Sequence, residues 1–158
     1  LYVFFLLRHD RREWMHFNVT ASPTAAWIWR QVLEATPLGR QPKFLIHDRD
    51  ADYGRDFDER LANLGITGVR SPPRAPKANA IGERIVRTIR SECLDHVIVI
   101  NERHLQAVLA EFAGYYNRDR PHRSRELASP IVAPSQPTGR VVSRSVLGGL
   151  HHVYARAA

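Results

Sequence analysis

The chain has 158 residues, a net charge of +7 and a pI near 10.3, with 44% hydrophobic residues. That length suits one domain, and the apolar share supports a buried core and excludes a disordered tail. A lone cysteine, Cys93, excludes a disulfide framework and a multi-cysteine zinc site, and no apolar run approaches the roughly 18 residues of a spanning helix. The N-terminus lacks the layout of a signal peptide, so a reducing, cytoplasmic setting is expected, and the basic excess points to a polyanionic partner.

Leu1–Leu7 is a continuous apolar run and reads as a strand buried on both faces. The polar turn Arg8–Glu13 and a second apolar run, Trp14–Val19, complete an antiparallel hairpin. Thr24–Ala35 has helical spacing, with Pro23 and Thr24 placed to start it and Pro37 and Gly39 to end it. Lys43–His47 is a third strand, running into Asp48 and the acidic residues Asp50 and Asp52. Phe57–Leu64 is a short helix closed by Gly65, and Ile66–Arg70 a short strand. Ser71–Ala78, with three prolines, is a loop. Helices follow over Asn79 to about Asp95 and over Asn101–Tyr116. Val141–Tyr154 reads as one last short strand or an extended tail. The order gives a mixed α/β fold with an antiparallel start and parallel crossovers later. No glycine-rich loop follows a strand, which removes the key residues of Rossmann and P-loop sites.

Two carboxylates stand out by placement. Asp48 ends a strand, the edge where ligands collect in open α/β sheets, and Glu83 lies near the start of the next long helix. One helix and one strand separate them, an excursion that can return the chain to the same sheet end, so the two carboxylates could meet there. Converging carboxylates suit Mg²⁺ or Mn²⁺, and two such ions about 3.5–4 Å apart act on phosphodiesters. Arg87 and Arg90 follow Glu83 at i+4 and i+7, Arg84 flanks it, and Ile81, Ile85 and Ile89 form an apolar stripe. Such arginines, with Lys77 and Arg74 on the preceding loop, would follow DNA phosphates. Plainer readings stand beside these. Glu83 and Arg87 have the spacing of a solvated helix salt bridge, and aspartates after a strand commonly form turns, as expected for Asp50 and Asp52. Trp27 and Trp29 read as packing residues, and His151 and His152 as an exposed tail pair.

The stretch Ser71–Glu92 resembles the segment around the catalytic Glu of DDE integrases and insertion-sequence transposases: a proline loop, Asn79, a short run to Glu83-Arg84, then a basic helix with Arg90 two turns on. Asp48, with Tyr53 five positions later, resembles that family's second Asp, although Arg49-Asp50 replaces its usual Asn-Gly and leaves Asp50 as an alternative ligand. Tyr115–His122 followed by Pro130 is similar to its Tyr-Tyr-Asn…Arg-Pro-His…Pro segment, with Arg125 where Leu is commoner. The hairpin Leu1–Val19 resembles the second and third strands of that core.

The resemblance covers about Leu1–Pro130 and implies an RNase H-like mixed sheet flanked by helices, with residues 131–158 a C-terminal extension. It implies Asp48 and Glu83 as catalytic metal ligands for two Mg²⁺ or Mn²⁺ ions, and Lys77, Arg84, Arg87 and Arg90 as DNA contacts. Double-stranded DNA and further copies of the chain would be the partners, in a bacterial-type, nucleoid-associated setting. The family's first catalytic Asp belongs to a strand before the hairpin. Asp10 lies in a turn instead, so the chain is expected to lack that strand and to be inactive or weak alone. Two alternatives carry different functions: a non-catalytic DNA-binding remnant or assembly module, and a nuclease acting on RNA hybrids or junctions.

Overall fold

The computed structural model describes residues 1–48, 50–72, 80–132 and 138–157. The chain forms two compact units, one of residues 1–6 and 15–85 and the other of residues 7–14 and 86–158. Among the described residues no helix is long and apolar enough to cross a membrane.

Strands β1 (Tyr2–Arg8) and β2 (Glu13–Thr20) pair as a two-stranded sheet across the expected turn, where Arg12 takes a left-handed φ of 60°. The expectation that the first strand is buried on both faces is corrected: residues 3–7 are half-buried and Leu1 and Tyr2 are exposed. A strand whose only described neighbour is β2 is incompletely covered.

The first unit builds its core from helix α1 (Ala25–Ala35), strand β3 (Phe44–His47), helix α2 (Phe57–Asn63) and strand β4 (Thr67–Arg70). Thr24 caps α1, its hydroxyl accepting from the Trp27 amide at 3.2 Å. Ile28 and Val32 of α1 meet Leu45, Phe57, Leu61 and Ile66, with Trp27 and Trp29 packed against them as expected. Full burial of side chains such as Phe57 and Leu61 stabilises by roughly 1.5–3 kcal/mol each. Gln31 is buried beside this cluster. Its Oε1 accepts from Asn18 Nδ2 at 2.8 Å and faces His16 Nε2 at 3.0 Å, tying α1 to β2.

β3 and β4 are parallel, with Phe44 opposite Thr67 and His47 opposite Arg70, and α2 is the crossover between them. Gly65 ends α2 at φ +76°, the left-handed position that Gly fills without strain. That pair leaves Asp48 at the carboxyl end of β3.

In the second unit, helix α4 (Glu102–Arg118) is capped by Asn101, whose side chain accepts from the His104 amide at 2.8 Å. Its buried stripe is Leu105, Val108, Leu109, Phe112 and Tyr116. The region read as one strand or a tail is a hairpin: β5 (Val141–Val146) and β6 (His151–Arg156) are antiparallel, joined by a turn with Gly148 and Gly149 at positive φ. Helix α3 (Ala80–Glu92) presents Ile85 and Ile89 as its buried stripe, with Ile81 half-buried.

Candidate active site and nucleic-acid face

Asp48 follows β3 and is exposed in an open cleft of about 520 Å³, whose lining includes Asp50, Tyr53, Arg55 and Arg70. Its carboxylate organises the chain that follows. Oδ1 accepts from the Asp50 amide at 3.3 Å, and Asp50 in turn accepts from the Asp52 amide at 3.1 Å. The turn-forming reading of Asp50 is thus observed, and Asp48 shares it. The Tyr53 hydroxyl bonds the Asp48 side chain; burial foremost, then the Asp48 and Asp50 charges, drive the Tyr53 phenol well above its ordinary pKa. Tyr53 therefore stays protonated and donates.

Behind Asp48 lies a polar network that the sequence reading missed. β3 alternates, with Leu45 and His47 buried and Phe44 and Ile46 exposed. A ring on the buried face needs partners for both nitrogens. His47 Nδ1 meets the Asp48 carbonyl at 2.8 Å, and Nε2 meets Asp58 Oδ1 at 2.9 Å. The other Asp58 oxygen holds Arg70 Nε at 2.7 Å. Gly68 makes room for this arrangement, since a Cβ there would stand 2.6 Å from Asp58 Oδ1. The rings of Tyr53 and Phe57 flank His47, each centroid 5.1 Å away. The readable signal was a histidine at a core-facing register position, one residue before the candidate ligand.

Glu83, Arg84, Arg87 and Arg90 are all exposed on α3. Among the described residues none of them makes an ion pair, so the solvated Glu83–Arg87 bridge is not formed. Glu83 is not among the described residues lining the Asp48 cleft. Lys77, with Arg74 and Asn79, lies outside the described residues, as does Arg49. Among the described residues no three of His, Cys, Asp and Glu gather as a metal site. Asp10 sits in the hairpin turn, paired with Arg8 at 3.1 Å.

The Tyr115–His122 segment proves structural in its contacts. The Asn117 side chain accepts from the Trp14 amide and donates to the Trp14 carbonyl, both at 2.8 Å. Tyr116 lies edge-on to Trp14 and to His122. Arg120 grips Glu92 with two nitrogens, Nε at 2.6 Å. Tyr115 stacks on His151 at 4.5 Å and 12°, and His151 Nε2 meets the Glu92 carbonyl at 2.7 Å. The reading of His151 as an exposed tail residue is corrected: the hairpin brings it back against α4 and half-buries it, while His152 is exposed.

Residues 64–130 match the family model of the integrase core domain, a stretch that includes Glu83 and the Tyr115–Pro130 segment and leaves Asp48 outside. No curated protein sequence matches the chain. In shape, the chain is similar to a solved structure of a simian T-cell lymphotropic virus intasome in complex with PP2A regulatory subunit B56 gamma. The TM-score is 0.62 at 11% identity, over 98% of this chain and 60% of that one. This chain thus spans less than two thirds of the length of that neighbour. The mixed α/β architecture accordingly agrees with the RNase H-like fold expected from the sequence, and residues 64–130 are similar to an integrase core domain.

Proposed function

We propose that the chain is the part of a DDE-type integrase or transposase that supplies two of three catalytic carboxylates, Asp48 and Glu83, and the basic face of α3. One observation carries this reading: Glu83 lies within the integrase-core match on a helix whose arginines Arg84, Arg87 and Arg90 are exposed and make no ion pair among the described residues. Arginines without protein carboxylates are available to DNA phosphates.

The donor chemistry of Asp48 fits a hard divalent cation, since its carboxylate opens onto a cleft with Asp50 beside it. Asp48 and Glu83 would hold such ions together with a third carboxylate. When bound, Mg²⁺ or Mn²⁺ supplies activation of a water or 3′-hydroxyl and charge stabilisation at the phosphodiester. The protein's own residues do the rest. Tyr53 donates to Asp48 and fixes its carboxylate, His47 holds the Asp48 carbonyl, and the α3 arginines register the DNA backbone. The intact protein would nick element ends and join the freed hydroxyl to target DNA, as a multimer, in a nucleoid-associated setting.

Residues 1–158 alone should bind duplex DNA and leave it unjoined in Mn²⁺. Paramagnetic broadening by Mn²⁺ should reach the amides around Asp48 and Glu83 and fade in Asp48→Asn and Glu83→Gln. In the intact protein, Glu83→Gln should abolish cleavage while DNA binding persists. DNA binding without Mn²⁺ broadening at either carboxylate would instead support the non-catalytic remnant. Robust strand transfer by residues 1–158 would refute the need for a third carboxylate.

A further inference from the structure

After Glu126 the chain contains no acidic residue, yet carries Arg140, Arg144, Arg156, His151 and His152. These basic residues fall on or beside the β5–β6 ribbon, and the strand register sorts them onto two faces. Val146 opposite His151 and Arg144 opposite Val153 form the inner face. Val146 is buried, His151 stacks on Tyr115, and the exposed Arg144 is paired with Asp119 at 3.1 Å, so the end of this face nearest the turn packs on the protein and its one arginine is already neutralised.

The outer face is different. It consists of Ser145 opposite His152, Ser143 opposite Tyr154 and Val141 opposite Arg156. All six are exposed, Tyr154 to 70%. The His152 and Tyr154 rings lie roughly parallel, 27° apart with centroids at 6.5 Å. Arg156 is braced by a hydrogen bond to the Gly139 carbonyl at 3.0 Å, and Arg140 is exposed. Among the described residues neither arginine has a carboxylate partner. A row of hydroxyl, imidazole and guanidinium groups, with no acidic side chain on the ribbon, complements a polyanion.

We propose that the outer face of the β5–β6 ribbon is a docking surface for the phosphate backbone of duplex DNA. Arg140 and Arg156 make the charged contacts, and Ser143, Ser145, His152 and Tyr154 add neutral ones. A two-stranded ribbon is a shape that the major groove, about 12 Å wide, admits. Six residues per strand give a contact roughly 20 Å long. The proposal is independent of Asp48 and Glu83. It rests on the DNA-acting reading only in choosing DNA over other polyanions.

The test is a salt titration of the affinity of residues 1–158 for a duplex of about 30 base pairs. It uses the unsubstituted chain, Arg140→Gln with Arg156→Gln, and Arg84→Gln with Arg87→Gln and Arg90→Gln. The ribbon pair should lower affinity roughly tenfold per arginine at about 0.1 M salt and flatten the log–log slope by roughly 0.9 per lost contact. DNA should also shift the amide resonances of Ser143 and Tyr154, a readout independent of any substitution. A ribbon variant with unchanged affinity and slope, together with silent Ser143 and Tyr154 amides, overturns the proposal and leaves the α3 face standing. Loss confined to the ribbon variant upholds the proposal and removes the α3 face. No DNA binding by the unsubstituted chain sinks both. Tighter binding of an RNA duplex through the same arginines, or a dimer that depends on Tyr154, overturns the choice of partner.

Discussion

Asp58 pairs with Arg70 in the first unit and Glu92 with Arg120 in the second, and the two pairs differ in what else they hold. The Arg70 and Asp58 side chains are 48% and 38% exposed, and the Asp58 carboxylate is divided between Arg70 and the buried His47 ring. Arg120 and Glu92 are 20% and 32% exposed, the contact is two-pronged, and Arg120 also lies over the Tyr116 ring at 5.8 Å. The first pair leads, through His47, to the backbone of Asp48. The second closes the Tyr115–His122 segment onto the end of α3. A half-exposed pair contributes little to stability, so the value of Asp58 lies in orienting its neighbours. A better-covered, bidentate pair is costly to break, because the surviving charge is left without its partner.

Substitutions should separate the two roles. Arg120→Ala should have the largest effect, destabilising by about 3 kcal/mol in urea denaturation as Glu92 loses both bonds. A loss under about 1 kcal/mol would show the pair to be as replaceable as a surface bridge.

His122, beside this pair, gives the next effect. It is buried, with its Nε2 facing the Tyr116 carbonyl at 3.2 Å. Burial foremost, aided by Arg120 and Arg125, holds its pKa below the ordinary 6.5, against the pull of the Tyr116 carbonyl and Glu92. The unfolded chain therefore takes up a proton before the folded one. His122 favours the fold fully above pH 6.5, and that contribution falls as pH drops from there toward the lower folded value. The melting temperature should decline on acidification through this window, and His122→Asn should flatten the decline. A slope unchanged by His122→Asn would assign the pH dependence elsewhere.

Arg70→Gln should be the mildest, within about 1 kcal/mol of the unsubstituted chain. The His47 imidazole ¹⁵N shifts should stay in place, because Asp58 still faces Nε2. Their movement would mean that Arg70, and not Asp58 alone, fixes the ring.

Much of this was legible where the signal is local. The Pro23-Thr24 start of α1, the apolar stripe of α4, Gly65 at its left-handed turn and the placement of Asp48 after a strand all depend on residues a few positions apart. The unread parts depend on distance along the chain. Arg120 and Glu92 are 28 positions apart, His151 and Glu92 are 59 apart, and His47 finds Asp58 only once α2 folds back on β3. No periodicity encodes such pairings; the packing of whole elements makes them. The C-terminal hairpin is the exception. Gly148-Gly149 between two apolar runs is a local turn signal, and it went unread beside the weak alternation of the flanking strands. The half-covered β1 shows a converse limit, since an apolar run announces a strand and leaves open how many neighbours will cover it.

The clasp between Asn117 and Trp14 sets a schedule for the newborn chain. Its partners lie 103 positions apart, so residues 7–14 emerge from the ribosome long before α4 exists to receive them. At roughly 5–20 residues per second that wait lasts about 5–20 s. The β3–α2–β4 segment, by contrast, closes over neighbours already made. Closing so long a loop is also entropically slow. Pulse-labelling of stalled nascent chains should therefore find residues 44–70 protected first, with Trp14 becoming protected only after Asn117 has left the exit tunnel.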